Sequence, residues 1–427
     1  MKHLLTLAAM AAGFMVCPET LALAGNAAGR IGPAFAGALA AAGILHGLTA
    51  WNLGRTGDAI GRRASPEEVL EAGLGGAWTG VLLAARWTLT AGLATGVCAG
   101  AGFAFNEIFY HAFPNFAFAA LIPAGLGLLR IRGRDLAERI QVGAVAIALA
   151  GLLVLVAWAL LLPDAFAPGE TAQTTPATGI RTCLLALTAL AGFELALEPG
   201  EGNRPEAFRA MVFALAIGAL VLIAWTWMAA AVVPASKLAA STLPHLLAAR
   251  RIAGPPGRTI MGLVIISGSV AVVNALMAGA SGTLRRMSRR GLLPKGYLSE
   301  ATRVRIFEGF SAAWILGWLV SGMAGSPNLE VLIRAGWILW LFHYGILHLA
   351  AYRIQKTTVE GGRPPGLTLS AAAAAGYAVS SLALVVLDPS PWKVAAAAIA
   401  PALLAVPAVR GYIRSGRGGE RVSSASP

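Results

Sequence analysis

Apolar segments of about 20 residues alternate with short polar segments along almost the whole chain of 427 residues. A helix of that length crosses a bilayer, whereas a membrane barrel shows short strands of alternating hydrophobicity. The pattern therefore predicts an all-α integral membrane protein with 12 transmembrane helices. The predicted spans cover residues 4–29, 33–53, 74–106, 115–131, 140–162, 181–198, 208–233, 259–283, 306–324, 329–352, 367–387 and 391–410.

Two of these spans contain residues that do not suit a continuous apolar helix. The first includes AAGFMVCPETLALAG, in which Pro18 and Glu19 interrupt the apolar run. Proline lacks the N–H that a helix interior needs, and a carboxylate is costly in hydrocarbon. The sixth includes LTALAGFELALEPGEGNR, which carries Gly192 and Glu194. Paired interruptions in corresponding helices are typical of transporters that bind their substrate near the bilayer midplane.

The two breaks also indicate the chemistry of a ligand. Broken backbone inside a membrane is tolerated where it lines a cavity. Free N–H groups at the start of a half-helix favour an anion, and free carbonyls at its end favour a cation. Such a pair suits a zwitterion, and Pro18 can begin the second half of helix 1 because its missing N–H costs nothing there.

Composition supports the membrane class and argues against other functions. Only 12% of the residues are charged, against about 25% in soluble domains. The formal net charge is +13, but the basic residues cluster in short loops, so we predict no nucleic-acid partner. The sequence shows no catalytic dyad, metal-ligand spacing or ATP-binding motif. We therefore predict no enzyme activity, no cofactor, and transport driven by a gradient or by exchange.

The loop charges predict the orientation of the chain. Most of the Lys and Arg residues fall in the loops on one side of the predicted helices, together with both ends of the chain. The positive-inside rule then puts both termini in the cytoplasm of a cell (inner) membrane. The polar residues 18–20 inside the first apolar run argue against a cleaved signal peptide. Residues 411–427 are polar and rich in Gly and Ser, which predicts a disordered cytoplasmic tail.

Four segments, taken in chain order, resemble the helices of one known family. AAGFMVCPE is similar to the helix-1 pattern of the amino acid–polyamine–organocation (APC) transporters, with Gly13 and Pro18 on the family's glycine and proline. TALAGFELALEPGEGNRPEAF resembles the family's helix 6. SVAVVNALMAGASGTLRRMSRRGLLPK, which contains Asn274, is similar to helix 8 and its loop, and LFHYGILHLAAYRIQ resembles helix 10.

This resemblance covers about residues 5–410 and implies a LeuT-type fold. Residues 1–162 would form the first five-helix repeat, 163–355 the second, inverted repeat, and 356–410 helices 11 and 12. It also implies secondary transport of a small amino acid or related amine by alternating access, coupled to protons or to exchange. The alternatives are an exporter or exchanger of a cationic amine or polyamine, and a non-transporting sensor or accessory subunit with the same fold.

The candidate site residues lie at the two breaks and at titratable positions inside other spans. The substrate-binding candidates are Ala12, Gly13, Phe14, Pro18, Glu19, Ala191, Gly192 and Phe193. The coupling or gating candidates are Glu194, Glu19, Arg86 and His343. Ala12 stands where the family pattern has a serine, so a hydroxyl is lost there.

The roles of the two glutamates stay open at this point. The resemblance links Glu194 to proton coupling in some members, and the alternative is a carboxylate held by helix-end N–H groups. Glu19 stands where the family pattern usually has a small residue, so the resemblance assigns it no role. It could cap the second half of helix 1, contact a substrate ammonium group or carry a proton.

The other candidates have competing structural explanations. Arg86 needs a partner, for which the sequence offers Glu19, Glu194 or a substrate carboxylate, unless its side chain reaches towards the cytoplasmic face. His343 could titrate near neutral pH or bond a neighbouring carbonyl. Ser267 and Ser269 are weak sodium candidates, since serines in membrane helices usually bond their own backbone.

Overall fold

The computed structural model describes residues 2–60, 65–161, 174–197, 204–289, 299–358, 366–401 and 403–407, and in this part of the chain it is helical without strands. The helices are α1 (Lys2–Met15), α2 (Pro18–Ile31), α3 (Ala34–Ala59), α4 (Pro66–Leu74), α5 (Gly76–Ile108), α6 (Asn115–Arg132), α7 (Arg134–Leu160), α8 (Pro176–Ala189), α9 (Arg204–Val232), α10 (Ala235–Ala240), α11 (Pro244–Arg289), α12 (Glu300–Val320), α13 (Pro327–Thr358) and α14 (Leu367–Val386). Short 3-10 helices occupy Phe193–Leu197 and Met323–Gly325, and residues 391–401 and 403–407 are also helical. The predicted disordered tail lies outside the described residues.

Nine helices of the described chain are long and apolar enough to cross a membrane. They are α3, α5, α6, α7, α8 with the 3-10 helix that follows it, α9, α11, α13 and α14. Helices α1 and α2 form a further candidate span, bent by 48° between Met15 and Pro18. The prediction of a helical multi-pass membrane protein is therefore confirmed, while the count of 12 spans and the inverted repeat stay predictions.

The ends of several helices follow from local sequence. Helix α4 begins with a capping box, because Glu68 N donates to Ser65 Oγ and Ser65 N donates to the Glu68 carboxylate. Helix α11 is interrupted at Ala253 and Gly254. Gly254 has a φ of 59°, which favours glycine, and the two prolines that follow it suit the first turn of a new helix segment.

The chain divides into two compact units. The first unit comprises Met1–Ala50, Ala94–Leu276 and Ala312–Gly325, and the second comprises Trp51–Leu93, Met277–Ser311 and Ser326–Pro427. Helices α3, α5, α11 and α12 contribute residues to both. This division neither supports nor opposes the predicted five-helix repeats, which stay a prediction.

The first unit is built around α1 and α2. Helix α1 packs against α7, α9 and the 3-10 helix Phe193–Leu197, and α2 packs against α8, α9 and α10. Large side chains fill the space around these contacts, and Phe14, Met15, Phe193 and Trp225 are fully buried. The two interrupted helices of the sequence therefore lie in the core of this unit.

The second unit is built around α13. This helix packs against α14 and against the short helix α4. Helix α4 comes close because Gly73 has no side chain: a Cβ there would lie 2.6 Å from the Ala350 Cα. A buried apolar cluster that includes Leu53, Leu70 and Leu347 surrounds this approach. The packing positions the polar first turn of α4 within the unit.

Candidate functional site

Pro18 causes the break between α1 and α2, and the Thr20 side chain replaces the helical hydrogen bond that is lost there. In a continuous helix the Phe14 carbonyl would accept from the N–H of residue 18, which proline lacks. The Thr20 hydroxyl donates to the Phe14 carbonyl instead, at 3.2 Å. The next turn starts normally, because Leu21 N donates to the Cys17 carbonyl at 3.1 Å. Pro18 thus occupies the first position of α2, as predicted from the sequence.

The helix that contains α8 is interrupted at Gly192, and a side chain of α3 supplies a hydrogen bond that the interruption removes. Gly192 has a φ of 86°, a conformation that an L-residue with a side chain rarely adopts. Ala191 N donates to Thr188 rather than to Leu187. The Leu187 carbonyl accepts instead from His46 Nε2 of α3 at 2.8 Å, which fixes the ring proton on that nitrogen. His46 was not predicted as a site residue, because the sequence shows it only as a single histidine within an apolar span.

The two breaks contact each other. A Cβ on Gly192 would lie 2.7 Å from the Phe14 Cγ, so the aromatic ring of α1 fits against the glycine of the second break. The Phe193 ring packs against the His46 ring in a tilted arrangement, with the ring centroids 5.3 Å apart. The structure therefore brings Phe14, Gly192 and Phe193 together, and all three were substrate-binding candidates.

Helices α7 and α11 close around the first break. A Cβ on Gly13 would lie 2.7 Å from Gln141 Nε2 and 3.3 Å from the Ala271 Cβ, and a Cβ on Gly268 would collide with the Val16 carbonyl. Gln141 also donates to the Ala9 carbonyl at 2.9 Å. The side of Gly13 on which a side chain would lie is thus occupied by the packing of α7 and α11, and the role of Gly13 in substrate binding stays a prediction.

A chain of buried polar side chains extends this contact. Arg130 Nη1 donates to Asn274 Oδ1 at 3.0 Å, and Asn274 Nδ2 donates to Gln141 Oε1 at 3.0 Å and to the Ala137 carbonyl at 2.9 Å. Asn274 is 1% exposed. The chain links α6, α11 and α7 and ends on the backbone of α1. Asn274 therefore has a packing role between these helices.

Glu19 lies in the first turn of α2 with one carboxylate oxygen unused. The carboxylate accepts from its own backbone N–H and faces the Cys17 thiol, which is the arrangement of a helix cap. Its Oε2 atom is buried and has no hydrogen-bond partner among the described residues. Oε1 lies 3.4 Å from the position that a Cβ on Gly100 would take. Glu19 thus combines a capping contact with a free acceptor.

The remaining first-unit candidates are buried. Ala12, Pro18 and Ala191 line the same breaks, and Glu194 is 2% exposed in the first turn of the 3-10 helix. The two weak sodium candidates bond carbonyls of their own helix, and their role stays a prediction. The Ser267 hydroxyl donates to the Leu263 carbonyl and the Ser269 hydroxyl to the Ile265 carbonyl, each within α11.

Arg86 belongs to an ionic cluster in the second unit. Glu67 Oε1 lies 3.7 Å from Arg86 Nη1 and 3.1 Å from Arg286 Nη2, and Glu67 is 1% exposed. Burial by itself would raise the pKa of Glu67, but Arg286 and Arg86 outweigh burial and lower it to about 2. Glu67 is therefore ionised throughout the physiological range.

This pairing corrects the expectation for Arg86. The partners predicted from the sequence were Glu19, Glu194 or a substrate carboxylate, whereas Glu67 lies in a segment that was predicted to be a loop. The guanidinium also lies over the Trp340 ring, 5.0 Å from its centroid. His343, the other candidate of this unit, is 4% exposed, and both residues line a small cavity between α5 and α13.

The sequence of the chain matches a known protein family over nearly its whole length. The amino acid permease family covers residues 3–406. The chain belongs to the amino acid permease family. No curated protein sequence matched this permease. Together with the spanning helices, the family assignment makes the chain a membrane transporter, and it does not suggest an enzyme.

Solved structures support the same fold for the permease. The manganese transporter of Eremococcus coleocola, in complex with an aromatic bis-isothiourea substituted compound, aligns with a TM-score of 0.62 at 12% identity, over 97% of this chain and 95% of that chain. Two point mutants of that transporter align with a TM-score of 0.64 at 12% identity, over 97% and 94%. At this identity the similarity concerns the fold alone, and it confirms the expected APC-type architecture.

Proposed function

We propose that this permease is a secondary active transporter that moves a small amino acid or a related amine by alternating access. The observation that carries the proposal is the contact between the two helix breaks at Phe14 and Gly192, with the free Glu19 Oε2 on the same broken helix. Irregular backbone at membrane depth is tolerated where it is buried in protein or lines a cavity, and paired interruptions in corresponding helices point to the binding site of a transporter.

The polar groups at the breaks match the two ends of an amino acid. Glu19 Oε2 is a buried acceptor without a partner in the described chain, and an ammonium group supplies the donors and the positive charge that it lacks. The 3-10 helix Phe193–Leu197 starts at the second break, and the N–H groups of a helix start favour a carboxylate. We therefore assign the ammonium end to the first break and the carboxylate end to the second.

We further propose that Glu194 carries a coupled proton. It is buried in the first turn of the 3-10 helix, next to Phe193 at the second break. Glu194→Gln mimics the protonated form, so exchange of substrate should survive while accumulation driven by a pH gradient is lost. Counterflow and pH-driven uptake in proteoliposomes measure the two activities separately. Persisting pH-driven accumulation in this variant would assign the proton to another group.

We propose that both termini are cytoplasmic in a cell (inner) membrane, because most Lys and Arg residues fall in the loops on the side of the two termini. The chain would then cross the membrane 12 times, as two inverted five-helix repeats followed by two further helices. A reporter fused after residue 427 should be active in the cytoplasm, and one inserted at 163–173 on the opposite side. Reporter activity on the same side of the membrane at both positions would contradict this topology.

The second candidate function is exchange or export of a cationic amine. Glu19 and Glu194 place a carboxylate beside each break, and this favours a substrate with two amino groups over a zwitterion. Manganese is the cargo of the structural neighbour. Among the described residues, no three His, Cys, Asp or Glu side chains are grouped so that they could hold a metal ion.

A substrate screen tests the proposal directly. Purified permease is heated with each amino acid and with a series of diamines and polyamines, and the compounds that raise the Tm are then used in counterflow. Zwitterions that stabilise and exchange support the first candidate, and diamines support the second. A compound that stabilises without exchange in reconstituted protein identifies a sensor or accessory subunit and contradicts transport.

A further inference from the structure

Helix α5 is enclosed along its middle and becomes accessible on one face towards its end. Residues 89–99 are all buried. Gly100 is half-buried, and Phe103 and Glu107 are exposed. Positions i, i+3 and i+7 lie on one face of a helix, so these three residues form a single accessible face. Gly100 is its innermost residue and lies against Glu19 of α2, which is also half-buried.

The reason for a glycine at position 100 is not helix packing. A Cβ on the nearby Gly102 would collide with the Asn115 carbonyl, so that glycine is required by the approach of α6. A Cβ on Gly100 would have one atom of another described element within 4 Å, which is Glu19 Oε1 at 3.4 Å. Gly100 also lacks a positive φ. Neither packing nor backbone conformation therefore requires glycine here, although glycine weakens a helix relative to alanine.

The Glu19 carboxylate gives the missing side chain a purpose. Its Oε2 is a buried acceptor without a hydrogen-bond partner in the described chain. Its Oε1 faces the position that a side chain at residue 100 would take. The bare backbone of Gly100 thus leaves room beside a carboxylate that needs donors. An ammonium group supplies three donors, and it has about the size of a methyl group, so a single Cβ would compete for this room.

We propose that Gly100 is a specificity-determining residue, because its missing side chain keeps open the space in which the substrate's ammonium group reaches Glu19. This inference rests on the proposed function, in which Glu19 binds the ammonium end. It adds that α5 forms the wall opposite the carboxylate, and that any side chain at position 100 lowers the affinity for amines.

Gly100→Ala tests the space while leaving the fold intact. Alanine is favoured over glycine in a helix and its Cβ meets only the carboxylate, so the Tm without substrate should equal or exceed that of the wild type. Gly143→Ala is the matched control, because Gly143 is an exposed glycine of α7 whose Cβ would have no described atom within 4 Å.

Both variants are heated with each amino acid and with the series of diamines and polyamines. One methylene group changes selectivity in a binding site by roughly 10–200-fold. Compounds that stabilise the wild type should therefore need at least about tenfold higher concentrations in Gly100→Ala and unchanged concentrations in Gly143→Ala. Equal concentrations in Gly100→Ala would overturn the role of Gly100 and leave the proposed function standing. A wild type that responds to no compound would contradict the proposed function instead.

A labelling experiment tests the same space without a substrate. Gly100→Cys is made together with Cys183→Ser, which removes the exposed natural cysteine. The purified protein is treated with aminoethyl methanethiosulfonate, a cation, or with sulfonatoethyl methanethiosulfonate, an anion of similar size, and intact-mass spectrometry gives the labelling rates. Ala101→Cys in the same background is the control, because Ala101 is fully buried and should stay unlabelled.

The charge preference identifies Glu19 as the neighbour of the label. We expect the cation to react faster than the anion at Gly100→Cys. Adding Glu19→Gln should lower the ratio of the two rates roughly tenfold, because a carboxylate within about 4 Å attracts the cation and repels the anion. Absence of labelling at Gly100→Cys, or a ratio that Glu19→Gln leaves unchanged, would overturn the proposal whatever the substrate screen shows.

Discussion

Glu19 of the first unit and Glu67 of the second are both carboxylates in the first turn of a helix, yet their surroundings differ. Glu67 lies between Arg286 and Arg86, at 3.1 and 3.7 Å, and is almost fully buried. Glu19 contacts its own N–H and a thiol, and its Oε2 has no partner among the described residues. A carboxylate whose cations are built into the fold acts as a fixed counter-ion, whereas one with a free acceptor is available to a ligand.

The backbone at the two breaks shows the same difference between groups that have partners within the fold and groups that do not. Pro18 and Gly192 leave carbonyls without their usual helical donors, and Thr20 and His46 supply them. These two hydrogen bonds therefore have a structural role. Glu19 Oε2, by contrast, is a buried, negatively charged acceptor beside the first break that has no such donor in the part of the chain that the structure describes.

The largest effect is expected from Glu67→Gln. This change leaves Arg86 buried without its carboxylate, and removal of one partner from a buried ion pair costs about 3–5 kcal/mol. Chemical unfolding in detergent measures the loss. Glu300→Gln is the matched control, since Glu300 pairs with Arg289 at 3.4 Å on the surface and should cost below about 1 kcal/mol. Equal losses in the two variants would show that Glu67 is not a structural counter-ion.

The pH dependence of the same residue is the next effect in size. The folded-state pKa of Glu67 is lowered to about 2, against about 4.3 in the unfolded chain. Its contribution is therefore complete above pH 5 and is lost as the pH falls towards 2. The difference in unfolding free energy between wild type and Glu67→Gln should be constant from pH 8 to pH 5 and shrink below pH 4. A difference that shrinks near pH 6–7 would contradict the assignment.

The helix breaks could be predicted from the sequence because their cause is local. Pro18 lacks an N–H in any fold, and a glycine beside a glutamate inside an apolar run is unusual wherever the run lies. The spanning segments could be predicted for the same reason, since length and hydropathy suffice. The side-chain partner of the second break could not, because His46 and Leu187 are far apart in the sequence and are brought together only by the packing of α3 against the end of α8.

The ionic cluster depends on long-range packing. The charge of Arg86 showed that a partner was needed, but Glu67 lies in a polar segment that reads as an ordinary loop. Its capping-box sequence, Ser65 to Glu68, was the available signal for a short helix there. Whether such a helix folds back onto α13 depends on contacts such as Gly73 against Ala350, which no local pattern encodes. The approach of Gln141 and Ala271 to Gly13 could not be predicted for the same reason.

The third effect concerns the contact between the breaks. Gly192→Ala introduces a Cβ 2.7 Å from Phe14 at a φ of 86°, and we expect a loss of about 1–3 kcal/mol for the backbone alone, with more from the clash. Gly322→Ala is the matched control, because Gly322 has a φ of 81° and no described atom lies within 4 Å of the position that its Cβ would take. The excess loss in Gly192→Ala therefore measures the contact with Phe14. Equal losses would mean that Phe14 moves away freely.

The smallest change in stability is expected from Glu19→Gln, and it decides the comparison. The glutamine keeps one oxygen for the capping contact at the start of α2, so the loss should stay at or below the roughly 0.5–2 kcal/mol of a missing cap. Binding should respond more strongly, because a charge-assisted hydrogen bond to a substrate ammonium group contributes about 1.5–3 kcal/mol, or roughly 10–100-fold in Kd. Isothermal titration with the best compound from the substrate screen measures the Kd, and unfolding of the same preparation measures stability. Glu67→Gln, assayed alongside at a temperature where it remains folded, should show the reverse: lower stability and a nearly unchanged Kd. If Glu19→Gln binds with wild-type affinity, its carboxylate is only a cap, and the ammonium end of the substrate must be held by another group at the breaks.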